Sequence, residues 1–192
     1  MAVTAVVFDV GETLVDETRA WERVADSCGV PRFTLMALVG AAIQRGDSHN
    51  RAFELLGVSK PFGKFTSGDL YPDALPCLHR LRELGLLVGA VGNMPEENED
   101  VVREHLDFVG SSERWGVEKP AREFFDRVAV EAGRSASDIA YVGDRVDNDV
   151  LPAKQAGMVA VHIRRGPWGV LHDGAAADAQ IESLDELPAA LP

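Results

Sequence analysis

Short apolar runs that alternate with longer stretches of helical periodicity restrict this chain to a parallel sheet covered by helices. The first run, Ala2–Phe8, is apolar at almost every position, as expected of a central strand buried on both faces. Further strands are expected at Leu86–Val91, Phe108–Val109, Ile139–Val142 and Val159–Ile163. Helical patterns lie between them at Ala74–Leu84, Glu96–His105, Ala121–Ala132 and Asn148–Gln155. Gly85 and Gly133 stand where helices stop, and Pro120 where one opens.

One interval breaks this rhythm. Almost eighty residues separate the first run from the second, far more than a crossover needs. Within them, Ala20–Cys28, Phe33–Arg45 and Asn50–Leu56 read as amphipathic helices. The stretch Lys60–Asp69, rich in Gly, Pro and Lys, reads as a return linker. A helical module is therefore expected just after the first strand. Neither an internal repeat nor a low-complexity tract interrupts the rest, and Gly174–Ala179 is expected to be a surface loop.

Composition narrows the function. Hydrophobic residues form 46% and charged residues 26% of the 192, which is ordinary for a globular protein and too apolar for disorder. The net charge of −12 repels phosphodiester backbones and anionic lipid, so neither nucleic acid nor membrane is an expected partner. No apolar run approaches the ~20 residues that span a bilayer. The N-terminus has no basic flank and carries an acid inside its apolar run, unlike a signal peptide. Cys28 and Cys77, two widely spaced residues, form neither a disulfide framework nor a zinc pattern. They read as buried thiols of a cytoplasmic protein.

Four segments fall at expected strand ends or helix starts, where an open α/β sheet places its ligand. They are Val6–Leu14 with Asp9, Val88–Asn93 reading VGAVGN, Val117–Pro120 with Lys119, and Tyr141–Asp149 with Asp144 and Asp149. Neighbouring parallel strands lie ~5 Å apart, so Asp9 and Asp144 can share one cation if their strands are adjacent. Two acids that close repel unless a metal or a proton stands between them. Oxygen ligands in small number suit magnesium, which keeps waters and takes one or two carboxylates plus substrate phosphate.

The order strand-Asp, strand-Asn, Lys-Pro and Gly-Asp-x-x-x-x-Asp resembles the four-motif signature of the haloacid dehalogenase superfamily. The likeness runs over nearly the whole chain, because the helical insert falls where that family carries a helical cap. It implies a Rossmann-like core of residues 1–15 and 70–192, and a cap of residues 16–69 that meets the core over Asp9. It also implies a Mg²⁺-dependent phosphatase acting on a small phosphorylated molecule. Asp9 would attack phosphorus and form an aspartyl-phosphate. Asp9, the Gly11 carbonyl and Asp144 would hold magnesium, with Asp149 acting beside them through water or by positioning Lys119. Lys119 would hold Asp9 and the phosphoryl oxygens, while Asn93 and Gly92 would contact the transferring group or the substrate.

Two positions depart from the family pattern. Phosphatases of this family carry a second Asp two residues after the nucleophile, as general acid and then base; here that residue is Gly11. Gly92 stands where the second motif has a hydroxyl. The carbonyl of Gly11 survives the change, so metal binding is less affected than proton transfer. Such a phosphatase is expected to be slow on esters with poor leaving groups and fast on acyl phosphates or activated aryl esters. Glu12 is the nearest replacement acid, although adjacent residues in an extended turn point in different directions. Two other readings remain: a catalytically weak member that binds a phosphorylated ligand or a protein, and a metal-independent 2-haloacid dehalogenase. The dehalogenase branch carries an aromatic residue at position 11 and amides or hydroxyls in the fourth motif, which this chain lacks. The oligomeric state is left open.

The remaining polar residues read more plainly. The histidines at 49, 79, 105, 162 and 172 have no ligand spacing and are expected to be structural or on the surface. Glu96–Asp100 reads as the solvated first turn of a helix. Asp147 reads as a helix N-terminal acid, and Trp21, Trp115 and Trp168 as packing residues. Arg45, His49 and Arg51 are the cap residues that would read a substrate anion if they face the site.

Overall fold

The computed structural model describes residues 3–61 and 63–192. The start of the expected first strand at Ala2 and position 62 of the expected linker lie outside the described residues. The chain divides into two compact units, Met1–Asp16 with Thr66–Pro192, and Glu17–Phe65.

Strand β1, Ala5–Phe8, is followed by the smaller unit, whose helices are α1 (Thr18–Ser27), α2 (Arg32–Gln44) and α3 (Asn50–Leu56). Inside this unit Trp21 stacks on Phe53 at 6.3 Å between ring centroids and meets the His49 ring edge-on at 5.7 Å. Apolar residues of all three helices are buried: Val24 and Ala25, Leu35 and Val39, Ala52 and Phe53.

The chain then continues with α4 (Ala74–Glu83), β2 (Leu87–Gly92), β3 (Phe108–Ser111), α5 (Ser112–Trp115), α6 (Arg122–Ala132) and β4 (Ile139–Gly143). The last elements are α7 (Leu151–Gln155), β5 (Val159–Ile163), α8 (Gly166–Leu171), β6 (Ala179–Ile181) and α9 (Leu187–Ala190). The strands form one sheet in the order β3-β2-β1-β4-β5-β6, every neighbouring pair parallel. This is the parallel sheet among helices that the alternation of patterns predicts, and the α/β, Rossmann-like core that the family resemblance implies. β1 is wholly buried, so its continuous apolar run needs no alternation. On one face Ala5 and Val7 of β1 and Ile139 and Tyr141 of β4 pack with Phe124, Phe125 and Val128 of α6. Each of the last three is fully buried and worth about 2–3 kcal/mol relative to exposure. Gly85 and Gly133 adopt φ of +79° and +59° just past α4 and α6, the left-handed stop expected of them.

Several expectations are corrected. Glu96–His105 is not an α-helix but two 3₁₀ segments, Glu96–Val101 and Arg103–His105. Glu99 there is buried, its carboxylate receiving Ser111 Oγ at 2.6 Å, Arg103 at 2.7 Å and Arg114 at 2.9 Å. The acidic run is therefore only partly solvated, because one of its carboxylates satisfies a cluster at the end of β3. The expected helix over Asn148–Gln155 opens as a π-helix at Val146–Val150 before α7 begins. Pro120 precedes rather than opens α6, whose N-cap is Ala121. The expected loop Gly174–Ala179 holds a short 3₁₀ turn at Gly174–Ala176, and only its last residue belongs to the edge strand β6, which is too short and too mixed in sequence to read as a strand. Cys77 is buried but Cys28 only partly so. Among the described residues no helix is long and apolar enough to cross a membrane.

Before the insert begins, the ends of the core pair with each other. Val15 bridges Leu70 in antiparallel fashion, Tyr71 N–H donates to Leu14 O and Asp16 N–H donates to Asp69 O. A second tie lies around Asp73, at the start of α4. Its carboxylate takes the Arg165 guanidinium, Ser183 Oγ at 2.9 Å and Leu184 N–H at 3.0 Å, and Arg165 also donates to Thr13 O at 3.0 Å. Burial raises the Asp73 carboxyl, but the Arg165, Leu184 and Ser183 hydrogen bonds outweigh it and hold it below the ordinary 3.8. A depressed folded value means stability that is complete above the ordinary carboxylate value and fades as pH falls through the depressed one. Asp73→Ala leaves a nearly buried guanidinium without its partner, so it is expected to cost on the order of 3 kcal/mol at neutral pH. Thermal denaturation should register this as a fall of roughly 6–12 °C. The deficit should shrink when the same scans are run below pH 4; a pH-independent deficit would contradict the assignment.

Candidate active site

The site grows out of the carboxyl ends of the central strands. β1 and β4 are adjacent, with Phe8 level with Val142 and Asp9 N–H donating to Val142 O at 2.8 Å. The first residue beyond each strand is an acid, Asp9 after β1 and Asp144 after β4. The π-helix that follows β4 returns Asp149 toward the same place. One carboxylate oxygen from each of Asp9, Asp144 and Asp149 lies within 4.8 Å of the others, and all three residues are buried.

Lys119 enters from the loop between α5 and α6. Lys119 is 4% exposed, and its ammonium donates to Asp9 Oδ1 at 2.6 Å and to Asp149 Oδ1 at 2.7 Å. Burial opposes the charge on Lys119, but Asp149 and Asp9 more than offset it and hold the amine protonated, well above its usual range. For Asp9 the balance goes the other way. Burial pushes its carboxyl upward, Asp149 adds to this, and the Lys119 ammonium only partly counters them. Three buried acids thus converge on one point, and burial with the neighbouring Asp149 pushes the Asp9 carboxyl up to about 7, so its ionised form needs a further cation close by. A divalent metal ion would favour that ionised form, and the hard oxygen donors suit such an ion.

The residues around the cluster are fitted to it. Asp149 Oδ2 accepts Arg145 N–H at 3.1 Å, so both oxygens of this carboxylate are engaged. A Cβ on Gly143 would come within 2.5 Å of the Asp149 carboxyl carbon, so only glycine leaves space for that side chain. Asn93, just beyond β2, clasps the Lys119 backbone: its Nδ2 donates to Lys119 O and its Oδ1 accepts Lys119 N–H, each at 2.8 Å. Gly92 is less constrained. A Cβ there would meet Met94 Sδ at 3.4 Å and Asp9 Oδ1 at 3.6 Å, which is ordinary contact.

Glu12, the nearest further acid, is buried in the left-handed region at φ +51°. Its Oε2 accepts the Tyr71 hydroxyl at 2.6 Å and fills the space that a Cβ on Gly166 would occupy, 2.5 Å away. Of the residues of the smaller unit singled out in the sequence, Arg51 pairs with Glu54 on the surface and His49 lies against Trp21.

Sequence reasoning passed over two histidines that border this cluster. His162, on β5 and fully buried, has Nε2 2.9 Å from the backbone oxygen of Asp144. His172 accepts Val146 N–H at Nδ1, at 3.1 Å. Burial holds both imidazoles below the ordinary value of 6.5 and therefore neutral at pH 7. Their separation in sequence from the residues they touch gave no spacing signal.

Comparison with known proteins bears on the whole arrangement. The chain is 37% identical over 123 residues to a glyceraldehyde 3-phosphate phosphatase of Methanocaldococcus jannaschii, covering 61% of this chain and 54%, about half, of that protein. It is 31% identical over 206 residues to the glyceraldehyde 3-phosphate phosphatase of Methanopyrus kandleri, covering 86% of each. A solved HAD phosphatase from Thermococcus onnurineus superposes with a TM-score of 0.66 at 23% identity over 97% of both chains. A solved dehalogenase shares the fold at a TM-score of 0.74 and 21% identity, over 98% of this chain and 97% of its own. Residues 3–157 match the model of the haloacid dehalogenase-like hydrolases. That match contains every residue of the acidic cluster and its lysine, and the chain belongs to the haloacid dehalogenase-like hydrolase family.

Proposed function

We propose that the protein is a magnesium-dependent phosphatase that removes the phosphoryl group of a small metabolite by way of an aspartyl-phosphate on Asp9. The observation that carries this reading is the buried Lys119 ammonium held between Asp9 and Asp149, with the Asp144 carboxylate beside them. Asp9 supplies the attacking oxygen. Lys119 orients that carboxylate and sets a fixed positive charge where the phosphoryl oxygens gather charge. Asn93 keeps the Lys119 backbone in place, so it orients the transferring group through the lysine. Asp149 anchors the ammonium from its far side, and Gly92 leaves only backbone to face the substrate. Asp9, the Gly11 carbonyl and Asp144 would hold magnesium, which when bound neutralises the charge on the phosphoryl oxygens. Residues 16–69 act as the cap that selects the substrate. An acidic cluster with a lysine favours phosphoryl transfer over carbon–halogen cleavage, and two relatives named as phosphatases of a small sugar phosphate support it.

The test is steady-state turnover of acetyl phosphate, p-nitrophenyl phosphate and glyceraldehyde 3-phosphate, with Mg²⁺ and with EDTA. Phosphate release that needs Mg²⁺ is the expected outcome. Calorimetric binding of a phosphorylated ligand without turnover would instead identify a binding protein, as the missing side chain at Gly11 allows. Chloride release from 2-chloropropionate in EDTA would identify a dehalogenase.

A further inference from the structure

The backbone just after β4 carries Asp144 and leads into the π-helix that ends near Asp149, and two histidines from later in the chain hold it from outside. A carbonyl oxygen only accepts, so the 2.9 Å contact from His162 to the Asp144 oxygen places the imidazole proton on Nε2. Nδ1 is then a bare acceptor. It is buried and has no hydrogen-bond partner among the described residues, and a Cβ on Gly174 would lie 2.1 Å from it. An unmet buried acceptor is unfavourable, and a β-branched apolar residue in β5 would avoid it. Histidine at 162 therefore works against packing, and what it contributes is one N–H directed at the carbonyl of a cluster acid. His172 does the complementary thing two residues further along, accepting the Val146 N–H.

We propose that His162 and His172 are positioning residues for the cation site, fixing the Asp144–Val146 backbone from both its acceptor and its donor side so that the Asp144 carboxylate faces Asp9 before a cation arrives. This inference rests on the metal-dependent reading given above. Groups that orient a metal's ligands typically change its affinity by about 10–100-fold when removed.

The experiment measures the Mg²⁺ concentration that half-maximally raises the melting temperature of the metal-stripped protein, alongside the concentration that half-maximally activates it. His162→Leu and His172→Leu are each expected to raise both concentrations by about 10–100-fold, with the loss recovered as Mg²⁺ increases. His162→Gln restores a donor at the Nε2 position and His172→Asn an acceptor at the Nδ1 position, so both should return most of the affinity. A purely structural role would shift the metal-free melting temperature and leave the Mg²⁺ midpoints alone. Midpoints within about twofold of the wild type in both leucine variants would overturn the proposal while sparing the metal-dependent reading. Should His162→Leu fail to fold, His172→Leu and His162→Gln decide on the same midpoints. A wild type that shows no Mg²⁺ response in either measurement would overturn both.

Discussion

Asp9→Asn is expected to remove turnover, lowering kcat by about 10⁴-fold or more, as loss of a covalent nucleophile does elsewhere. The substitution keeps the size of the side chain and takes away its anionic oxygen. The fold should survive it, because Lys119 keeps its 2.7 Å contact with Asp149 and is not left as an unpaired buried charge. A circular dichroism spectrum identical to the wild type would establish that point first. The chemistry is then read by intact-mass analysis after an acid quench from acetyl phosphate, with a phosphoryl adduct on the wild type and none on the variant. Turnover that persists in Asp9→Asn would end the nucleophile assignment, whatever the metal dependence.

The second large effect concerns position 11. No side chain there gives or takes a proton, and Glu12 has its carboxylate on the Tyr71 hydroxyl and against Gly166. Lys119 stays protonated between two carboxylates and is a poor proton donor. The leaving group must then depart as its anion, which suits a carboxylate or a nitrophenolate and not an alkoxide. General acid catalysis is worth about 10²–10⁴-fold, or about 3–5 kcal/mol of barrier. The wild type should therefore prefer acetyl phosphate and p-nitrophenyl phosphate over glycerol phosphate by a ratio of that order. Gly11→Asp should raise kcat/KM for the alkyl ester by a comparable factor and change the aryl ester little. Equal rates on both classes in the wild type would mean that another group carries the proton.

How much of this was readable beforehand depended on whether a residue acts through its own position or through distant partners. Asp9, Lys119 and Asp144 were legible because each directly follows an apolar run or stands just ahead of a helix, and strand ends are where an open sheet gathers its ligand groups. Asn93 was legible as a site residue, but its clasp on the Lys119 backbone was not, since Lys119 lies 26 positions further along, beyond β3 and α5. The sheet was readable from apolar runs except for β6, whose Ala-Gln-Ile has no pattern of its own and exists because β5 offers it an edge. Glu99 read as one acid in a solvated run, yet arginines 4 and 15 residues later make it a buried hub. Asp73 and Arg165, 92 residues apart, left no local trace at all. His162 carried no spacing signal because it serves a backbone oxygen rather than a side chain, and backbone atoms are present at every position.

The pairing of Val15 with Leu70 and of Asp16 with Asp69 bears on how a protein of this kind changes over time. The core fastens its two exits to each other, so whatever chain is spliced between them begins and ends at a fixed pair of neighbouring points. The entropy of closing such an excursion grows only slowly with its length. An insert can then be lengthened, shortened or exchanged with little strain on the sheet, and the acids at its strand ends keep their spacing throughout. On the proposed reading of residues 16–69 as the segment that selects the substrate, substrate choice and bond-breaking chemistry are then free to drift independently, one carried by a replaceable segment and the other by a frame that is already closed.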